Sequence, residues 1–182
     1  MTDATLVLHA TGARLAPRIT FDQAAEPANR LAVYRYLVHL TRNPDLAEDL
    51  TQAAFERALT SLDRFDPARG PLRFWLVMIA RRVAVDHMRS ERSRRAREER
   101  YAAAEPDHAP PPDLPGEVSP EMRRALGSLS DTEREAVALR VIIGLSGTEA
   151  AAVMGISPTA CSTTLHRALT RLRRDIGAAD HA

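Results

Sequence analysis

Residues 73–95 read RFWLVMIARRVAVDHMRSERSRR, and they change character halfway along. Every residue from Phe74 to Ala80 is apolar, and six arginines follow between Arg81 and Arg95. Apolar residues at helical spacing over this length predict one helix whose first half is buried in a core. Because guanidinium groups pair well with phosphate, the second half suggests a surface that faces a polyanion.

The composition favours helices and excludes several classes of protein. Of the 182 residues, 45% are hydrophobic but only 4% are aromatic, and alanine and leucine supply much of the apolar content. No apolar stretch is long enough to span a membrane, and we find no secretion-like start. The single cysteine excludes an internal disulfide and a cysteine-cluster zinc site. We therefore expect a cytoplasmic protein with no membrane contact of its own.

Charge alternates along the second half of the chain. Residues 81–100 hold eight arginines and four acids, residues 101–120 hold four acids and no arginine, and residues 157–176 hold four arginines and one acid. The acidic stretch also contains six of the twelve prolines. This composition buries little and cannot continue a helix, so it predicts a flexible linker over residues 98–119.

The linker separates two predicted helical units. In the first, residues 29–97, an amphipathic helix is expected at Leu31, Tyr34, Leu37, Val38 and Thr41. Asn43 and Pro44 predict the start of a second helix with a stripe at Leu46, Leu50, Ala54 and Ala58, and residues 63–71 form a loop before the arginine helix.

In the second unit, residues 120–176, capping boxes are predicted at Ser130 with Glu133 and at Ser146 with Glu149. A short helix, the tight turn MGIS and a helix opening at Ser157 and Pro158 form a helix-turn-helix pattern. Residues 1–28 are expected to be a disordered extension, and residues 177–182 a frayed tail.

No catalytic arrangement is evident. The six histidines lack metal-ligand spacing, and there is neither a glycine-rich phosphate loop nor a serine elbow. We therefore expect a protein that is not an enzyme and needs no metal or cofactor.

The last helix instead predicts contact with DNA, although an ordinary solvated basic face would give a similar pattern. The side chains expected to contact DNA are Thr159, Ser162, Thr163, His166, Arg167 and Arg171. Trp75, the one tryptophan, has two possible roles: it fills the core, or it stacks on an unpaired base beside the loop that precedes it.

Taken together, residues 30–176 resemble the ECF (extracytoplasmic function) sigma factors of bacterial RNA polymerase. YRYLVHLTRNPDLAEDLTQAAFERAL is similar to sigma regions 2.1 and 2.2, and FWLVMIARRVAVDHMR to regions 2.3 and 2.4. LSDTEREAVALRVIIGLSGTEAAAVMGIS with LHRALTRLR is similar to region 4. The resemblance implies an all-α fold of two small helical domains, the region 2 bundle and the region 4 helix-turn-helix, joined by the flexible acidic linker.

The resemblance also implies a role for each site. Residues that would bind core polymerase at the β′ clamp helices are Asp45, Glu48, Asp49, Gln52 and Glu56. Residues that would contact the −10 element are Asp66, Arg69, Gly70, Leu72, Arg73, Trp75, Arg81, Arg82 and Arg89. The helix-turn-helix residues named above would read the −35 element, and its domain would contact the β flap. An anti-sigma factor is implied as a further partner, and the acidic linker would thread the polymerase channel.

The chain departs from the family pattern at four positions. Ala53 stands where a glutamate is usual, and Arg82 where an asparagine is usual; Ser162 and Thr164 replace a lysine and an arginine of the recognition helix. Two alternatives to a sigma factor therefore stay open: a stand-alone helix-turn-helix repressor or activator, and an interaction protein that sequesters a regulator. The acidic face around Asp49 argues against the repressor, which has no evident use for it.

Overall fold

The computed structural model describes residues 19–98 and 119–179, so nearly all of the predicted linker lies outside the described residues. The helices are α1 (Phe21–Ala24), α2 (Pro27–Thr41), α3 (Pro44–Leu59), α4 (Leu72–Glu98), α5 (Pro120–Gly127), α6 (Asp131–Val137), α7 (Gly147–Met154) and α8 (Pro158–Ala179). Two 3-10 turns, Leu62–Arg64 and Pro67–Arg69, lie between α3 and α4, and a π turn, Ala138–Ile142, follows α6. The described ranges contain no strand, and the expected all-α fold is confirmed.

The predicted caps set the helix starts. The Asn43 side chain accepts a hydrogen bond from the Leu46 N–H at 3.0 Å, and Pro44 occupies the first turn of α3. Both predicted capping boxes are present, at α6 and at α7. These side chains satisfy backbone N–H groups that the helix itself leaves without partners.

Residues 19–28 are folded, which corrects the expected disorder for that part of the extension. Thr20 and Gln23 form a capping box at the start of α1, Ala24 is buried, and α2 already begins at Pro27. A helix of four residues is too short to show apolar periodicity, so its sequence gave no helical signal.

Helix α2 is buried on more than one side. Val33, Tyr36, Leu37 and Val38 are buried, whereas Leu31 of the predicted stripe is 44% exposed. The burial expected at Leu37 and Val38 is confirmed, the burial expected at Leu31 is wrong, and Val33 and Tyr36 are buried in addition. Helix α3 covers one side of α2, and α6 with the π turn covers another, so residues outside a single stripe are also enclosed.

Helix α4 has the two halves that its sequence indicates. Leu76, Val77 and Ala80 are buried against the bundle, whereas Arg82 and Arg89 are exposed. The apolar half packs on α2 and α3, which fixes the direction of the helix. The arginine half is thereby carried on a rigid element.

The first unit (residues 19–98) and the second unit (residues 119–179) share one hydrophobic core. Leu37 and Val77 of the first unit belong to the same buried cluster as Leu139, Leu145 and Val153 of the second. The contact runs from α2 to α6 and the π turn, and from α4 to α7; we call it the seam. A smaller cluster between α5 and α8 completes the second unit. The sequence predicted both units but not their packing.

The change from α to π geometry after Val137 was also not predicted. The Ile143 N–H donates to the Ala138 carbonyl at 2.9 Å, five residues back, which is the π pattern. The turn keeps both Leu139 and Ile143 buried at the seam. The helix that begins at the Ser130 capping box therefore ends in a wider turn where it meets α2.

Glu133 joins α6 to α8 and should make the fold sensitive to acid. It accepts hydrogen bonds from the Ser130 N–H at 3.0 Å and from Arg171 at 3.1 Å. The Ser130 backbone bond, with the Ser130 hydroxyl and Arg171, holds the pKa of Glu133 below its ordinary value of 4.5. The ionised form is therefore the one that stabilises the folded state, and this stabilisation is lost as pH falls through the lowered pKa.

We predict that Glu133→Ala lowers the free energy of unfolding by about 1–2 kcal/mol at neutral pH. The difference from the unsubstituted protein should shrink as the pH falls from 4.5 through the lowered pKa of Glu133, because below that pKa the carboxyl group is protonated in both the folded and the unfolded chain. Urea denaturation at several pH values measures this. Glu48→Ala, on the exposed face of α3, serves as the control and should change the free energy by less than about 0.5 kcal/mol. An equal loss at acid and neutral pH would contradict the assignment.

Candidate nucleic-acid interface

A cavity of about 560 Å³ lies between the loop at residues 64–70 and the first half of α4. Its lining combines aromatic rings with arginines: Phe65, Phe74 and Trp75 with Arg64, Arg69 and Arg82. The Trp75 ring meets Phe65 edge to face, with centroids 5.5 Å apart and planes at 63°. The cavity therefore has flat apolar walls beside positive charge, a combination that suits an unstacked base and its phosphate.

The loop is held in shape by backbone and side-chain contacts. Asp66 accepts a hydrogen bond from the Ala68 N–H at 2.9 Å and so caps the turn Pro67–Arg69. Gly70 follows with φ 145°, a conformation that residues with a Cβ rarely adopt. A Cβ at Gly70 would also lie 2.8 Å from Cδ1 of Phe74, a ring that lines the cavity. Glycine is needed here for both reasons.

The structure places the predicted −10 residues in four settings. Asp66, Arg69, Gly70, Trp75 and Arg82 line the cavity, and Arg89 is exposed further along α4. Leu72 is half-buried against the core. Trp75 therefore packs within the protein and also faces the cavity, so its two possible roles are compatible.

The remaining two predicted −10 residues, Arg73 and Arg81, bind the second unit. Nη1 of Arg73 donates to the Ile143 carbonyl at 3.3 Å. Nε of Arg81 lies 2.7 Å from Oε1 of Glu135, and its Nη2 lies 3.3 Å from the Met154 carbonyl. No sequence pattern predicted these contacts. Residues 81 and 135 are far apart in the chain, and no local pattern relates them.

The predicted polymerase residues form one face of α3. Their spacing places them along one side of a helix, and all are exposed: Asp45, Glu48, Asp49, Gln52 and Glu56. Leu50, Ala54 and Ala58 lie buried on the opposite side, as the predicted stripe requires. Gln52 donates to Glu56 at 3.0 Å, and the described structure gives this face no basic partner within the chain. It is an acidic surface open to a basic or polar partner.

Helix α8 presents its predicted DNA-reading side to solvent. Thr159, Ser162, Thr163, His166 and Arg167 are exposed. The side facing the unit's own core holds Cys161, Ala168 and Leu172. Arg171 differs from the others, because its Nη1 contacts both Glu133 at 3.1 Å and the Ser128 carbonyl at 3.2 Å. Arg171 therefore links α8 to α6.

Within the described ranges, no group of three or more histidine, cysteine or acidic side chains is placed to hold a metal ion. No helix of the described part of the chain is long and apolar enough to cross a bilayer.

An arginine-flanked aromatic cavity beside α4 and an exposed basic helix in a helix-turn-helix are features that occur in nucleic-acid-binding proteins. Comparison with known proteins assigns the class. The Sigma-70 region 2 family model matches residues 28–94, and the Sigma-70 region 4 model matches residues 120–172.

Individual relatives agree with this assignment. The RNA polymerase sigma factor CarQ of Myxococcus xanthus is 37% identical over 151 residues, covering 80% of this chain and 83% of CarQ. The ECF RNA polymerase sigma factor SigC of Mycobacterium tuberculosis is 36% identical over 151 residues, covering 81% of this chain and 79% of SigC. The sigma factor RpoE of Bartonella quintana, solved with the anti-sigma factor NepR, is 27% identical with a TM-score of 0.66, covering 82% of this chain and 92% of RpoE. The chain belongs to the ECF subfamily of RNA polymerase sigma factors.

We predict that Gly70→Ala disturbs the cavity, because the new Cβ requires the Phe74 ring to move from a backbone that is itself strained. The variant should lose about 1–3 kcal/mol of unfolding free energy and bind single-stranded DNA more weakly. Fluorescence anisotropy with a labelled oligonucleotide, together with urea denaturation, measures both effects.

Gly127→Ala is the matched control, since no atom lies within 4 Å of the added Cβ and the residue is helical. It should leave DNA binding unchanged and stability equal or slightly higher. If Gly70→Ala bound the oligonucleotide as well as the control did, the cavity would not be a binding site.

Proposed function

We propose that this alternative sigma factor uses three surfaces in one act of initiation. The acidic face of α3 holds core RNA polymerase, the exposed side of α8 reads the −35 element, and the cavity beside α4 captures an unpaired base of the −10 element. The observation that carries the proposal is the cavity, where aromatic walls and arginines occur together at the end of a capped loop.

Promoter opening by this protein requires binding energy and no covalent step. Unstacking a base costs a few kcal/mol, and stacking on aromatic side chains returns about 1–3 kcal/mol per base. Trp75 and Phe65 offer such faces, and Arg69 and Arg82 lie beside them to pair with the backbone. The protein is therefore proposed to act without catalysis or a cofactor, in the cytoplasm, where polymerase and promoter DNA are found.

Reading of the −35 element would rest on Thr159, Ser162, Thr163 and His166, with Arg167 at a phosphate. Hydroxyl side chains can bond to several bases, so they admit a range of sequences. Arg171 is proposed to contribute indirectly, because it already holds α8 in place through Glu133. An anti-sigma factor is a proposed partner, supported by the RpoE relative, which was solved with NepR.

Run-off transcription from a genomic fragment library tests the proposal, using purified protein and sigma-free core polymerase. Discrete new start sites that share two upstream elements are expected. If duplex DNA were bound but no transcript formed, a stand-alone helix-turn-helix regulator would replace the proposal. If neither occurred, the sequestering role would take precedence.

We predict that Asp49→Arg weakens binding to core polymerase by about tenfold or more, because it reverses a charge at the centre of the acidic face. Affinity for duplex DNA should not fall. Binding to core polymerase is measured by biolayer interferometry, and DNA affinity by anisotropy. Asp63→Arg is the control, since it makes the same charge change at an exposed position outside α3. Equal losses in the two variants would count against a specific α3 surface.

A further inference from the structure

Three side chains from three helices meet at the seam. Oε1 of Glu135 (α6) accepts hydrogen bonds from the Tyr36 hydroxyl (α2) at 2.8 Å and from Arg81 (α4) at 2.7 Å. The Tyr36 residue is fully buried, and the side chains of Glu135 and Arg81 are only 10% and 30% exposed. Burial, and then the neighbouring carboxylate, raise the pKa of Tyr36 well above its ordinary value, so the phenol stays a donor.

This contact occupies residues that the resemblance to sigma factors assigns to the −10 element. Arg81 binds Glu135 and the Met154 carbonyl, and Arg73 binds the Ile143 carbonyl. Ala152 of α7 also lies at the lining of the cavity. With the seam formed, DNA cannot use Arg81 as a phosphate partner without displacing Glu135. Duplex DNA can still approach the exposed side of α8.

The chemistry of the contact allows exchange. A carboxylate and a phosphodiester each carry one negative charge, and arginine binds both through the same N–H groups. A partly buried ion pair is little more stable than the two separated, hydrated ions, because the cost of desolvation offsets their attraction. Removing the carboxylate, by contrast, leaves the charge of the partly buried arginine without compensation, and this favours separation of the two units.

We propose that Glu135 is an internal stand-in for a DNA phosphate, which holds Arg81 and keeps the two units closed until DNA takes its place. The inference rests on the proposed function, since it assumes that Arg81 faces DNA in the open protein. In closed molecules the second unit partly covers the side of α4 that faces the cavity. The apparent affinity of the free protein for single-stranded DNA is therefore the affinity of the open form multiplied by the fraction of molecules that are open.

The test measures binding of a short, fluorescein-labelled, single-stranded oligonucleotide of mixed sequence to the full chain. A single strand is used because duplex binding through α8 would mask the effect. Glu135→Gln keeps the side-chain shape and removes the charge, and it should bind about tenfold more tightly than the unsubstituted protein. In an Arg81→Gln background the same change should have no effect.

Glu121→Gln is the matched control. It removes one negative charge from the second unit at a site outside the seam, where Glu121 pairs with Arg124 at 3.6 Å. If Glu135→Gln bound no more tightly than this control, or if its gain persisted without Arg81, the proposal would be overturned. Thermal melting by circular dichroism checks folding. If Glu135→Gln melts early, Tyr36→Phe replaces it, and a smaller gain that again requires Arg81 is expected.

The proposed function and the proposed role of Glu135 can fail separately. Run-off transcription by the unsubstituted protein with core polymerase tests the proposed function alone. The oligonucleotide comparison requires no polymerase and no promoter, so an unchanged affinity in Glu135→Gln, together with normal run-off transcription, counts against the internal contact alone.

Discussion

The enclosure of α2 is the constraint on which the rest of the structure depends. Tyr36 and Leu37 have no exposed surface, and the helix is covered by α3 and α4 of its own unit and by α6 and the π turn of the other. A helix buried on several sides cannot lose one neighbour without exposing apolar surface to water. The position of the second unit is therefore tied to the packing of the first, and the contacts of Arg73 and Arg81 with the second unit follow from it.

The seam sorts the basic residues of α4 into two groups. Arg82 and Arg89 stay exposed, whereas Arg81 lies against Glu135 of the second unit. Adjacent residues on a helix point about 100° apart, so neighbours in sequence can serve different surfaces. The arginines of residues 81–95 therefore fall into two groups: some are exposed and available to a polyanion, and Arg81 joins the two units.

The features that sequence predicted depend on local spacing. The caps at Asn43, Ser130 and Ser146 and the apolar half of α4 are fixed by residues within a few positions of one another, and all were expected. The exposed acidic face of α3 follows in the same way from the buried stripe on its other side. Such patterns are visible in a single sequence because one turn of helix contains them.

The features that sequence did not predict join distant residues. Glu135 is 54 positions from Arg81 and 99 from Tyr36, so only the folded chain shows their contact. The role of Arg171 as a brace depends on Glu133, 38 positions earlier. Tyr36 was not expected in the core, and its hydroxyl contacts Glu135 of the other unit. Packing between units, unlike helix periodicity, produces no regular pattern in the sequence.

We propose that DNA and the second unit compete for the same side of α4. The most direct measurement is single-molecule fluorescence energy transfer between dyes at Asp63→Cys and Thr170→Cys, two exposed positions on different units, with the native Cys161 buried. We predict one transfer population for the free protein and a shift to a different one when core polymerase and promoter DNA are added together. A transfer efficiency that stayed unchanged in the transcribing complex would contradict the claim.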